Sequence, residues 1–200
     1  MVFHNNDYRR FTFYTALMAR KITAPFTLTE SISLDTVDSF VQDTVDISSY
    51  ISVGSRQALQ VHSVDFIYQS TDANDVVHNV FSAFNTALTA GVDTGILLQL
   101  TDLNRGEMVL ADDSALMASG QLRITPAGDY HASDLYPDEY RGPEGRTVVN
   151  DQIYFGAKFH GAAIDVGATL QVTARIECQI VELDVKSWMS IALQSTAADN

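Results

Sequence analysis

The sequence predicts an all-β protein in which two antiparallel sheets pack as a sandwich, with one inserted helix and a short C-terminal helix. Many short segments of strand length are separated by turns rich in Gly, Asp and Asn. These segments do not alternate regularly with helical patterns, which argues against a parallel sheet. The most regular segment, residues 170–180, has the alternation of a strand with one buried face.

In residues 170–180, every even position is apolar and every odd position is polar. Successive side chains of a strand leave opposite faces of the sheet, so the even positions predict a core face and the odd positions a face toward solvent or a partner. The predicted core positions are Leu170, Val172, Ala174, Ile176, Cys178 and Ile180. Cys178 is the only cysteine, which excludes an intrachain disulfide and a cage of thiolates around a metal.

Length and composition predict one domain with a sizeable core, since the chain has 200 residues and 46% of them are hydrophobic. The formal net charge of −13 argues against nucleic-acid binding by the main surface, because phosphate contacts require clustered Lys and Arg. The acidic, lysine-poor composition fits a protein that stays soluble in concentrated salt, and equally an ordinary acidic surface. We expect no signal peptide and no transmembrane segment.

Residues 1–25 are predicted to form an N-terminal arm or first element, and residues 26–200 a single β-sandwich domain. The arm interleaves basic and aromatic residues, a composition that suits contact with a neighbouring subunit or a membrane surface. The alternative is a first strand or short helix that packs on its own domain. The candidate contact residues are Arg9, Arg10, Phe11, Phe13, Tyr14, Arg20 and Lys21.

Three segments follow the arm. Residues 26–34 alternate as a strand, and Glu30 on the apolar side indicates either an edge position or a paired charge. Residues 35–46 have helix-like apolar spacing and predict a short amphipathic segment or loop, and residues 47–53 predict a strand. In residues 57–68 the apolar positions change phase, which predicts a β-bulge or a corner between the two sheets.

The middle of the chain contains the clearest helical pattern, residues 72–90, which ends at Gly91. Strands are predicted for residues 95–103 and 107–111, joined by a hairpin turn, and for residues 116–124. The turn order Asp-x-Asn-x-Gly-Glu from Asp102 offers part of a calcium loop, but the twelve-residue pattern is incomplete and a plain turn is favoured.

The loop at residues 126–146 is the longest stretch without periodicity, and long irregular loops often carry function. Its tyrosines provide contact area at little entropic cost, so we expect it to face a partner. The candidate residues are Tyr130, Asp134, Tyr136, Asp138, Tyr140 and Arg141. Beyond it, residues 147–155 predict a strand, and Asp184 is expected to cap the C-terminal helix.

No catalytic pattern emerges from the sequence. The five histidines lack metal-ligand spacing, and no nucleophile elbow or phosphate loop is present. We therefore expect a protein that is not an enzyme and that uses no metal, cofactor or small-molecule substrate. A pair of catalytic carboxylates that only folding brings together would not be recognisable in the sequence.

An extended N-terminal arm, an inserted helix, a long surface loop and a chain of this length resemble the single jelly-roll capsid proteins of icosahedral viruses. The resemblance implies a jelly-roll topology and a structural, self-assembling shell subunit of a virion, a homo-oligomer assembled in the host cytoplasm with copies of itself and other virion proteins. Because the arm is less basic than that of genome-facing capsid proteins, it implies a shell separated from the genome, or a minor or spike protein. The alternative is a carbohydrate- or receptor-binding sandwich of a fibre, spike or lectin-like type.

Overall fold

The computed structural model describes residues 19–127, 129–134, 145–161 and 163–198. The strands in chain order are β1 (Arg20–Lys21), β2 (Phe26–Leu34), β3 (Phe40–Asp46), β4 (Gln57–Thr71), β5 (Val77–Asn79), β6 (Thr94–Thr101), β7 (Leu116–Ile124), β8 (Tyr130–Asp134), β9 (Arg146–Val148), β10 (Gln152–His160) and β11 (Thr169–Glu182). The α-helices are α1 (Asn85–Thr89) and α2 (Val185–Ala198), and short 3-10 turns occupy Ser48–Tyr50 and Val80–Phe84.

The strands form two antiparallel sheets with jelly-roll connectivity. The first sheet has the order β2-β11-β4-β9, with β1 beside the end of β11 and β5 beside the end of β4. The second sheet has the order β3-β10-β6-β7-β8. Without the short strands β1, β5 and β8, eight strands remain, and they pair from the outside of the chain inwards: β2 with β11, β3 with β10, β4 with β9, and β6 with β7. This nested order confirms the predicted fold class.

The core lies between the two sheets, and β11 contributes more of its buried residues than any other strand of the first sheet. Five of the six predicted core residues of β11 are fully buried, and the sixth, Ile180, is half-buried near the end of the strand. Burial raises the pKa of the Cys178 thiol to about 12, so this thiol stays protonated and unreactive at neutral pH. The alternation in the sequence therefore located the centre of the core correctly.

The predicted phase change in β4 is a β-bulge. Ser63 pairs with Glu177 and Val61 pairs with Cys178, so His62 is an extra residue on the β4 side. The bulge turns Leu59 and Val61 to the same core as Val64, and β4 stays in one sheet. The corner between sheets is thereby excluded for this segment.

The helix predicted for residues 72–90 is confirmed only in its second half, where the 3-10 turn Val80–Phe84 leads into α1, and it is wrong for residues 72–79. The carboxylate of Asp72 accepts hydrogen bonds from the backbone N–H groups of Asn74 and Val76, which makes a turn, and β5 then pairs with the edge of β4. The helical part begins after Asn79, whose side chain accepts a hydrogen bond from the N–H of Phe81. β-Branched residues beside an open sheet edge favour strand pairing over helix, which the apolar spacing does not reveal.

The structure corrects three shorter predictions as well. Residues 40–46 form strand β3 rather than part of a short amphipathic segment or loop, and a 3-10 turn replaces the strand predicted for residues 47–53. The strand predicted for residues 107–111 is a loop, because the side-chain amide of Gln99 donates to the carbonyl of Val109 and accepts from its N–H, at 2.7 and 2.8 Å. Glu30 is half-exposed on β2 at the edge of the first sheet, as one of its two interpretations required.

Candidate assembly surface

The side chains of β2 and β11 that point away from the core form a polar face, which we call the outer β2–β11 face. It consists of Thr27, Thr29, Ser31, Ser33, Gln171, Thr173, Arg175 and Glu177. Every β2 member is exposed, and so are Arg175 and Glu177. The register pairs Thr29 with Arg175 and Ser31 with Thr173, so the short side chains lie in rows across the two strands.

Hydrogen bonds between neighbouring strands hold this face in one conformation. The hydroxyl oxygens of Ser31 and Thr173 lie 2.8 Å apart, and the Gln171 amide donates to the Ser33 hydroxyl at 2.8 Å. On the β4 side, the Ser63 hydroxyl donates to the Glu177 carboxylate at 3.2 Å. A face whose side chains are short and already ordered loses little conformational entropy when a partner covers it.

The outer β2–β11 face carries almost no net charge although the chain is strongly acidic. Arg175 and Glu177 are its only charged members and cancel one another, and the exposed Asp65 of β4 lies opposite Arg175 at its border, against a formal net charge of −13 for the whole chain. Like charges repel when two copies approach, and the cores of protein interfaces are depleted of charged residues. This face is therefore suited to contact with another copy.

Helix α2 follows directly on β11 and packs on one end of the first sheet. Its N-terminus is capped by the carboxylate of Asp184, which accepts from the N–H groups of Lys186 and Ser187 and from the Ser187 hydroxyl. These hydrogen bonds, the Ser187 hydroxyl first, lower the pKa of Asp184. Trp188 is 8% exposed and packs in a second apolar cluster with Ala58 and Val181. One side of α2 is thus bound to the domain, as the predicted cap and helix required.

A different side of α2 presents apolar residues to solvent. Val185, Met189 and Leu193 are 55%, 57% and 66% exposed, and their spacing of four aligns them on one side of the helix. We call these three residues the α2 stripe. Isolated exposed apolar residues are ordinary, but an aligned row of them indicates a contact surface. The sequence contains this spacing, but it cannot show which of the two apolar sides of the helix the domain covers.

The predicted arm residues fall partly within the described structure. Arg20 and Lys21 form β1 and are exposed, and Arg20 Nη1 lies 3.8 Å from the Glu182 carboxylate. The other arm candidates, Arg9, Arg10, Phe11, Phe13 and Tyr14, lie outside the described residues.

The predicted partner-facing loop is also described only in part. Tyr130 begins β8 at the edge of the second sheet, is 65% exposed, and its ring centroid lies 5.5 Å from that of Phe81. Asp134 ends the same strand. Tyr136, Asp138, Tyr140 and Arg141 lie outside the described residues.

Asp102, the start of the incomplete calcium pattern, makes an ion pair. Its carboxylate accepts from Arg146 Nη2 at 2.7 Å, and its side chain is 10% exposed. Burial raises the pKa of Asp102, and the nearby Arg146 guanidinium offsets only part of that rise. Across the described ranges, the structure brings no three His, Cys, Asp or Glu side chains together in a metal-binding group.

Comparisons with known proteins found no matching family model and no matching curated protein. Among solved structures, the chain is similar to Desmodium yellow mottle tymovirus at 11% identity, covering 92% of this chain and 96% of that chain with a TM-score of 0.32. It is similar to Merkel cell polyomavirus VP1 in complex with 3'-sialyllactosamine at 8% identity, covering 84% and 99% with a TM-score of 0.40. A third match is trichodysplasia spinulosa-associated polyomavirus VP1, at 7% identity, covering 81% and 98% with a TM-score of 0.36.

These matches are viral capsid proteins, the group that the sequence resembles. At such TM-scores the assignment of the jelly roll rests on the strand pairing of this chain itself. Within the described part of the chain, no helix has the length and apolar content needed to cross a bilayer.

Proposed function

We propose that this chain is a structural shell subunit of a virion, which assembles with copies of itself through the outer β2–β11 face. The observation that carries the proposal is the nearly uncharged, exposed and ordered face on an otherwise acidic jelly-roll domain. Jelly rolls form viral capsids, but also lectins and cupins, so the fold alone does not decide among these functions.

Arg175 is the best probe of this contact because it lies exposed within the outer β2–β11 face. Arginine is enriched in interfaces, where its planar head can form hydrogen bonds and stack. A carboxylate at this position would turn a neutral face into an acidic one. Two copies that meet through it would then repel each other.

The test compares Arg175→Glu with Lys158→Glu by size-exclusion chromatography and light scattering. Both substitutions change the net charge equally, but Lys158 lies on β10 in the second sheet. We expect the wild-type chain and the Lys158→Glu variant to form oligomers, and the Arg175→Glu variant to elute mainly as a monomer. A wild-type chain that is monomeric at every salt concentration contradicts the proposed function, and oligomers of Arg175→Glu contradict the proposed face.

The proposed function also assigns a role to the N-terminal arm and to the acidic surface of the domain. The exposed basic residues of β1, Arg20 and Lys21, would face a neighbouring subunit or an internal membrane, and other virion proteins would complete the shell. The excess of acidic residues keeps the main surface away from the genome. The role is structural rather than catalytic.

A second candidate function is glycan or receptor binding at the edge of the second sheet. It is favoured by Tyr130, whose ring is 65% exposed and rests against Phe81. Exposed tyrosines combine an apolar ring with a hydroxyl, a combination that suits a sugar ligand. Binding on a glycan array that is lost in Tyr130→Ala, while oligomer size is unchanged, would support this candidate.

A further inference from the structure

We propose that the N-terminal segment, residues 1–18, docks on the α2 stripe of its own chain. The stripe is a row of exposed apolar side chains on a helix whose other side is already packed. An exposed apolar row of this kind is suited to contact with another segment. Three features of the described residues indicate that this segment is the start of the chain.

The first feature is the direction in which the chain enters the first sheet. β1 runs antiparallel to the end of β11, with Arg20 opposite Glu182 and Lys21 opposite Val181. Traced backwards from Arg20, the chain therefore runs in the direction in which β11 continues into α2. Ala19 therefore lies at the end of the sheet where β11 continues through Asp184 into the first turn of α2, and the stripe begins there with Val185.

The second feature is the anchoring of Ala19, the first described residue. It is half-buried and packs against the apolar cluster that contains Trp188 of α2. The segment is thus held next to the helix at its junction with the domain. Its effective concentration near the stripe is far above that of a separate molecule, on the order of millimolar for a short linkage.

The third feature is the match of composition and length. The segment contains apolar and aromatic residues close to its junction with the domain: Phe11, Phe13, Tyr14, Leu17 and Met18. Val185 and Leu193 are eight residue steps apart along the helix, roughly 12 Å at 1.5 Å per residue. An extended chain covers about 3.3 Å per residue, so roughly four residues are enough to reach from Val185 to Leu193.

The first test is the rate of trypsin cleavage after Arg9 and Arg10 in the full-length protein, followed by mass spectrometry. We expect the double variant Met189→Ser/Leu193→Ser to be cleaved there several-fold faster than wild type, because the segment loses its docking surface. The matched control Ser190→Ala changes an exposed position on another side of α2 and should leave the rate unchanged. Equal rates in the double variant and the wild type overturn the proposal.

The second test identifies the chain that supplies the segment. Under mild oxidation, Leu17→Cys/Met189→Cys should form a disulfide within one chain, and Leu17→Cys/Ser190→Cys should form it much more slowly. Cys178 does not interfere because it is fully buried. A disulfide that joins two chains on a non-reducing gel assigns the stripe to a second copy and overturns the proposal.

Docking does not depend on the proposed function. The cleavage test is repeated in the Arg175→Glu background, so that protection by docking is separated from protection by assembly. Faster cleavage in Met189→Ser/Leu193→Ser is expected in both backgrounds.

Discussion

At the scale of single residues, the contacts of Arg146 hold distant parts of the chain together. Arg146 Nη2 donates to the Asp102 carboxylate and to the carbonyl of Ser114, each at 2.7 Å. The Asn150 amide donates to the carbonyl of Asp102 and accepts from the Ser195 hydroxyl of α2. The two hydrogen bonds of Arg146, to Asp102 and to Ser114, thereby fix both ends of the loop between β6 and β7. Asn150 connects this loop to the C-terminal helix.

Replacing Arg146 with Met should destabilise the fold in a way that depends on pH. The variant leaves the largely buried Asp102 carboxylate unpaired, which costs about 3–5 kcal/mol when both partners are buried. Because the Arg146 side chain is one-third exposed, we expect about 3 kcal/mol at neutral pH. Urea unfolding at neutral and acidic pH measures this difference.

The sign of the pH dependence follows from the raised pKa of Asp102. A carboxyl group with a higher pKa in the folded state binds its proton more tightly there, so the unfolding free energy falls as pH rises through its pKa. The defect of Arg146→Met should therefore shrink in acid, where Asp102 is protonated. Arg123→Met is the control, because it breaks an exposed pair with Asp93 worth at most about 1 kcal/mol. Equal, pH-independent losses in both variants would contradict the role given to Asp102.

At the scale of elements, α2 has two apolar sides with different surroundings. One side carries Trp188 into the second apolar cluster, and the other carries the α2 stripe. The helix depends on its position at the end of β11 and on its cap, since an isolated helix of 14 residues is marginal in water. Asp184 supplies that cap.

Removing the cap should loosen the first turn of α2 and expose Trp188. Trp188 is the only tryptophan, so its fluorescence reports this helix alone. We expect Asp184→Ala to shift the emission to longer wavelength and to lower the helical circular dichroism, while Asp184→Asn retains the cap and the wild-type spectrum. Identical spectra for Asp184→Ala and wild type would contradict the assigned cap.

Comparison of the wild type with Asp184→Asn also tests how the stability of the fold depends on pH. Because the pKa of Asp184 is lowered in the folded state, the stabilisation by its charged form is present above the usual carboxyl pKa and is lost as pH falls through the lowered one. Wild type should lose stability over that acidic range, and Asp184→Asn should lose less.

At the scale of the whole molecule, net charge and sheet surface act in opposite directions. A chain with a net charge of −13 repels its copies, while the outer β2–β11 face offers a contact that adds no net charge. Salt decides which of the two effects prevails, because it screens the repulsion between copies. The Debye length falls from about 30 Å at 0.01 M salt to about 8 Å at 0.15 M.

Assembly of the wild-type chain should therefore increase with NaCl concentration. Light scattering across a salt series measures the mean oligomer mass, and Arg175→Glu should require more salt than Lys158→Glu to reach the same mass. Dissociation on addition of salt would instead indicate a contact held together by ion pairs between subunits.

The sequence by itself determined those features that depend on local periodicity or a local hydrogen bond. Alternation in residues 170–180 identified the central strand and the burial of Cys178. The phase change in β4 predicted the bulge, and Asp184 predicted the start of α2. Each signal lies within a few residues of its consequence, because strand faces and helix caps are set by adjacent side chains.

Tertiary structure decided the features that depend on residues far apart in the chain. The edge of β4 converted part of the predicted helix into β5, and Gln99 held residues 107–111 as a loop. The nested pairing of β2 with β11, which creates the proposed assembly face, joins segments more than a hundred residues apart. Local patterns predict that a strand has a buried side, but only the packing of the whole chain selects its neighbours and determines which side of α2 the described part of the domain covers.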